Sequence, residues 1–146
     1  MDIKKMANRL ARQNDSRNPF EIIKGLNVIL LFVHLDGIRG FYQYFQRNNI
    51  IYINEDLPEH EKMWVCAHEL GHMLLHKKAN AIFMDTHTNL NVDKYEIEAN
   101  TFAAELLLSD DFMIENQEYT VDQIARMTGY SEELIRLKIK GYGWDS

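Results

Sequence analysis

Cysteine occurs once in the 146 residues, at Cys66, so the chain can form no internal disulfide and has no paired thiols for a metal knuckle. That usage fits a reducing cytoplasm, and any bound metal must be held by histidines and carboxylates. Proline is nearly as scarce, with two residues, and both Pro19 and Pro58 stand where helices are expected to start. Positive charge is also in short supply. Lys and Arg total 16 against 22 Asp and Glu, a formal charge of −6, and such a field repels a phosphate backbone. Direct nucleic-acid binding is therefore not expected. Long apolar runs are missing too: the longest, from Leu26 to Leu35, is about half of the roughly 20 residues that cross a bilayer, and it contains His34. The N-terminus, Met1-Asp2-Ile3-Lys4-Lys5-Met6, lacks the apolar core and cleavage site of a secretory signal. A cytoplasmic location without membrane attachment is the expectation.

What is present is ordinary globular material, 46% hydrophobic and 26% charged, in a length typical of one domain. A single domain over 1–146 is expected, with N-terminal helices and sheet over 1–56, a central helical pair over 57–108 and C-terminal helices over 109–146. Ile3, Met6, Ala7 and Leu10 recur at helical spacing, and Asn18-Pro19 opens a short helix closed by Gly25. Val28 to Leu35, Gly40 to Phe45 and Ile50 to Ile53 read as strands, the last two as a hairpin preceded at Asn48-Asn49 by turn residues. A helix from Leu57-Pro58-Glu59 to about His76, a long loop over Lys77 to Asn91 and a second long helix over Asp93 to Leu108 follow. Thr120 and Ser131 cap two further helices. The stretch Val121 to Ser131 resembles a helix-turn-helix, but its second helix would start with Glu132-Glu133 facing phosphates, so packing or protein docking is its expected role.

The chemistry concentrates in His68-Glu69-Leu70-Gly71-His72, an HExxH motif inside the first long helix. At about 100° per residue the two histidines stand about 40° apart around the helix, one turn above the other, so both imidazoles can reach one zinc ion. Glu69 stands beside that face, where its carboxylate can take a proton from a water that the metal acidifies and pass it to a leaving amine. His76 lies about 12 Å along the axis from His68, too far for both to bind one ion, and a supporting or helix-terminal role is expected for it. Cys66, about 200° around from His68, belongs to the core; His60 and His87 are expected at the surface and His34 in a strand.

A catalytic zinc normally takes three protein ligands. The extended metzincin pattern is excluded, because its glycine and third histidine would fall on Leu75 and Lys78. A carboxylate from the second long helix remains, and Glu96, Glu98 and Glu105 all lie there. Glu96 shares its face with Ala99, Asn100 and Ala103, whose small side chains permit close approach to the motif helix, whereas Glu98 points about 200° away.

Through Ala67-His68-Glu69-Leu70-Gly71-His72-Met73-Leu74-Leu75-His76 and Glu96-Ile97-Glu98-Ala99-Asn100-Thr101-Phe102-Ala103-Ala104-Glu105-Leu106-Leu107, the chain resembles the ImmA/IrrE family of metallopeptidases over nearly its whole length. The resemblance implies two zinc histidines at His68 and His72, a general base at Glu69, and a third ligand at Glu96 in an E-x-x-A-N motif, with Glu98 as runner-up; one Zn2+ per chain follows. The family's Leu-Leu-Met-Pro continuation is replaced by Leu107-Leu108-Ser109-Asp110, which bears on how the helix ends. The implied fold is an α+β zincin-like domain: a small, mostly antiparallel three-stranded sheet, two long helices holding zinc, and a helical C-terminal end. The strand nearest the metal should leave an edge on which an extended substrate adds as another strand. The implied activity is zinc-dependent endopeptidase cleavage of a protein, a helix-turn-helix repressor of a phage or mobile element. The competing class is a non-catalytic regulator that sequesters such a repressor or acts in transcription, for which Glu69 has no chemical use. Tyr95 and His87 are the candidates, by proximity, for stabilising the oxyanion.

Overall fold

A computed structural model describes residues 2–86 and 92–142. Two N-terminal helices precede the sheet. Helix α1 (Ile3–Asn14) starts where the Asp2 side chain accepts from the Lys5 amide and buries Ala7, Leu10 and Ala11; α2 (Pro19–Lys24) starts at Asn18, whose side chain accepts from the Phe20 amide. Strands β1 (Val28–Val33), β2 (Gly40–Phe45) and β3 (Asn48–Asn54) form one sheet in the order β1-β3-β2. The expected hairpin is there: β2 runs antiparallel to β3, from Gly40 opposite Ile53 to Phe45 opposite Asn48, while β1 lies parallel on the other side of β3. The turn falls on Gln46 and Arg47, both left-handed (φ 48° and 66°) as a two-residue primed turn requires, and the asparagines expected to precede the strand lie within β3. Tyr42, Ile51 and Ile53 point from one sheet face into a core shared with Ile22, Ile23, Val65 and Leu70.

Helix α3 (Glu59–Thr86) packs on that face against β2 and β3, and α4 (Val92–Leu107) packs against α3. α3 keeps helical geometry to the point where the sequence reading ended it, since His76 is non-helical (φ −131°, ψ 24°). The expected loop beyond is corrected, because the backbone resumes helix through Thr86; Lys77-Lys78-Ala79 and the residues after them contain good helix formers and neither glycine nor proline. Without the family's proline, α4 ends another way. The Arg17 guanidinium donates to the Glu105 and Leu106 carbonyls, at 3.1 Å each, occupying acceptors that a helix terminus leaves open. Ser109 then caps a helix the sequence reading missed, α5 (Asp110–Glu115), by accepting from the Phe112 amide at 3.0 Å.

Helices α6 (Val121–Thr128) and α7 (Glu132–Tyr142) complete the described chain. Thr120 and Gln123 form a reciprocal capping box, and Ser131 accepts from the Leu134 amide. The second helix of the helix-turn-helix look-alike is committed to packing: Leu134, Ile135 and Ile139 are buried. Lys138 is buried with them, its ammonium 2.7 Å from Glu105 of α4 and 2.7 Å from Asp110. Lys138→Ala is expected to destabilise the protein by about 3–5 kcal/mol, because Glu105 would be left as an uncompensated buried charge. Replacing both partners, Lys138→Met with Glu105→Leu, should recover most of that loss in thermal unfolding. Burial opposes ionisation of Asp110, but Lys138 and Lys4 overcome it and hold the carboxyl below its ordinary value of 3.8. A depressed carboxyl contributes stability that is present above the ordinary value and lost as pH falls through the lower folded one. The difference in unfolding midpoint between wild type and Asp110→Asn should therefore shrink as pH is lowered below about 4.

Candidate functional site

The two long helices meet almost backbone to backbone. A Cβ placed on Gly71 would lie 3.2 Å from both the Cα and the carbonyl oxygen of Ala99 and 3.2 Å from the Phe102 Cβ. The glycine of the HExxH motif and the alanine of the second motif are thus the contact point, and both are fully enclosed. This close approach brings the Glu96 carboxylate to the histidine pair: Oε2 lies 3.0 Å from His68 Nε2 and Oε1 lies 2.9 Å from His72 Nε2. The two Nε2 atoms are 3.2 Å apart. Gly71→Val would force α4 away and is expected to destabilise by about 2–3 kcal/mol, with a matching fall in zinc affinity measured by chelator competition.

These three side chains form the one cluster of histidine and acidic groups among the described residues that could hold a metal ion. Their spacing suits zinc. Ligand atoms at about 2.0–2.1 Å in a tetrahedron stand about 3.3 Å from one another; the two Nε2 atoms are 3.2 Å apart, each has its own Glu96 oxygen at 2.9–3.0 Å, and one ligand atom from each of the three residues lies within 4.8 Å of the others. A neutral-imidazole pair with one carboxylate is also a common catalytic zinc donor set. His68 and His72 are buried, whereas the Glu96 side chain is 48% exposed, so the cluster is walled on the histidine side and open on the carboxylate side. Hydrogen bonds from His68 and His72 hold the Glu96 carboxyl far below its ordinary range. Burial works against the His68 imidazolium, but Glu96 and Glu69 outweigh it and raise the His68 pKa.

Glu69 lies beside this cluster without joining it, with Oε2 4.0 Å from His68 Nε2. Burial pushes its carboxyl above the ordinary value, partly offset by the histidines and by the Tyr42 backbone. That backbone belongs to β2, which among the described residues pairs with β3 and is an edge strand of the sheet, next to Glu69. Gly40 holds β2 against α3, since a Cβ there would come within 2.7 Å of Val65 Cγ1 and 2.5 Å of the Tyr52 carbonyl oxygen.

Behind the cluster stand Asn100 and Trp64, to which the sequence reading gave no role, and His76, for which it expected a supporting or helix-terminal one. Asn100 Oδ1 accepts from His68 Nδ1 at 2.6 Å, and Trp64 stacks on the His68 ring at 5.4 Å, 23° from parallel. His76 is buried, 3.1 Å from His72 Nδ1 and 2.9 Å from Glu98. Asn100 follows Glu96 by four residues and His76 follows His72 by four, the helical spacing that puts each beside its partner's face. Glu98, the runner-up for the third ligand, meets His76 and takes no part in the three-residue cluster. The Tyr95 ring rests on His76 at 4.6 Å, and His87 lies outside the described residues. His60 packs against Gly129, and His34 bridges Asp36 and Asp56 at the surface, away from this chemistry. Cys66 is buried in the core, as expected.

The sequence profile of a peptidase family described as "IrrE N-terminal-like domain" matches residues 24–140, which span both helices of the site. "Uncharacterized immunity region protein 2" of Bacillus phage phi105 is 46% identical over 139 residues, covering 93% of this chain and 88% of that protein. "Metallopeptidase ImmA" of Bacillus subtilis (strain 168) is 31% identical over 135 residues, 91% of this chain and 75% of that protein.

Proposed function

Because the chain belongs to the IrrE N-terminal-like family of metallopeptidases, we propose that it is a zinc-dependent endopeptidase that makes one defined cut in a helix-turn-helix repressor of a phage or mobile element. One observation carries the catalytic half of this reading: the Glu96 carboxylate meets both His68 and His72, with a ligand atom from each within 4.8 Å of the others, while Glu69 stands 4.0 Å from His68 as a separate, proton-accepting group. His68, His72 and Glu96 would hold the ion. Zinc, when bound there, supplies Lewis acidity that lowers the pKa of water and polarises a scissile carbonyl. Glu69 takes the proton that the attacking water gives up as its oxygen bonds to the carbonyl carbon. It then delivers that proton to the amine nitrogen as the C–N bond breaks. Its raised proton affinity suits both transfers. β2, at the edge of the sheet beside Glu69, can offer its backbone to an extended segment of the substrate, which would order the scissile bond along the site.

The repressor as substrate rests on family resemblance and is supported by the phage relative's designation as an immunity region protein. Among the described residues no helix is long and apolar enough to cross a membrane. Incubation of the zinc-loaded protein with a repressor encoded beside its gene, followed by intact-mass spectrometry, tests the reading. A single new cleavage made by wild type and absent with Glu69→Gln is expected. Tight binding of the repressor by both forms without cleavage would replace the peptidase by the sequestering regulator.

A further inference from the structure

The hydrogen bonds behind the metal cluster, taken together with a metal on the cluster, place one proton on each imidazole. When His72 Nε2, which faces Glu96 and His68, gives its lone pair to a metal, the His72 proton is on Nδ1. The partner of that N–H is His76 Nδ1, at 3.1 Å, which must then accept. The His76 proton is in consequence on Nε2, and this N–H donates to Glu98 Oε1 at 2.9 Å. With a metal on His72 Nε2 and Glu98 ionised, each link has one donor and one acceptor. His68 has a different support, a neutral amide, since its Nδ1–H donates to Asn100 Oδ1.

We propose that Glu98 and His76 form a positioning relay that holds His72 as its Nδ1–H tautomer, so that Glu98 sets the zinc affinity of the site without touching the ion. The fold is arranged around this relay. The non-helical backbone at His76 interrupts α3 at the residue that makes it. Tyr95 and Glu98 are three apart on one ridge of α4, next to the ridge that bears Glu96, and the His76 ring lies on both members of that pair. His76 is 5% exposed, so no bulk water competes for its two bonds. A carboxylate behind a histidine ligand fixes the ring and raises its basicity, and loss of such a partner typically weakens metal binding tenfold to hundredfold. This inference rests on His68, His72 and Glu96 holding the metal.

Zinc affinity, measured by competition with a chromophoric chelator, and long-range 1H–15N NMR of the histidine rings in the zinc-loaded protein test it together. His76→Phe, which removes the acceptor, is expected to weaken zinc binding roughly tenfold to hundredfold, and Glu98→Ala to act in the same direction. Glu98→Gln keeps an acceptor oxygen and should restore most of the affinity lost in Glu98→Ala. Glu98 is a third exposed and its variants keep the His76 ring in place, so they decide the matter should His76→Phe fail to fold. In the NMR spectrum His76 should be a neutral Nε2–H tautomer and His72 an Nδ1–H tautomer. Stoichiometric zinc in wild type, with affinity unchanged in Glu98→Ala or with His76 as the Nδ1–H tautomer, would overturn the relay and leave the metal site standing. Failure of wild type to bind zinc at all would overturn both.

Discussion

Glu69→Gln is expected to retain one zinc per chain and to lower turnover by about 10²–10⁴-fold, the range that a positioned general base contributes. The two effects separate because Glu69 is outside the three-group cluster yet within 4.0 Å of it. Glutamine has nearly the same shape and fills the same buried space, so the fold and the ligands are undisturbed, but its amide cannot take up a proton. Metal analysis together with single-turnover cleavage checks both halves. A variant that lost its zinc would place Glu69 among the ligands, and one that kept full turnover would remove it from the chemistry.

Glu96→Ala should have the largest effect on the metal. Two imidazoles without a carboxylate do not complete a catalytic zinc site, and zinc affinity is expected to fall by more than about a hundredfold, beyond what outer partners contribute. Because Glu96 is half exposed, its loss should leave the metal-free fold intact. The consequence appears in linkage: zinc at one hundred times its dissociation constant stabilises a protein by about 2.7 kcal/mol, so wild type should show a clear rise in unfolding temperature on zinc addition. Glu96→Ala should show almost none at the same concentration. Glu98→Ala should still load at saturating zinc, which distinguishes a residue behind a ligand from a ligand.

Much of this site was legible before the structure because helical periodicity is a local property. His68, Glu69, His72 and the small face around Glu96 depend on angles about one axis, and those angles survive folding. Glu98 shows where such reasoning stops. Its direction away from Glu96 was readable, but its partner was not, because His76 lies on another helix, at a non-helical residue of α3 that no spacing rule anticipates. The elements followed the same division. Strand alternation and caps at Asn18, Thr120 and Ser131 were readable, being set by neighbours in sequence. The parallel pairing of β1 with β3 and the buried Lys138 between Glu105 and Asp110 join residues far apart in the chain. Ser109 was different: Ser109-Asp110-Asp111 is a local helix-start signal, a capping serine followed by two acidic first-turn residues, and belongs with the readable elements.

X-ray absorption at the zinc edge of the fully loaded wild-type protein tests the central claim most directly, since it reads the donor atoms themselves. Two imidazole nitrogens and oxygen donors at about 2.0–2.2 Å, with one zinc per chain and the carboxylate contribution lost in Glu96→Ala, are the predicted result. A site of three imidazoles, or one that includes the Cys66 sulfur at about 2.3 Å, would contradict it.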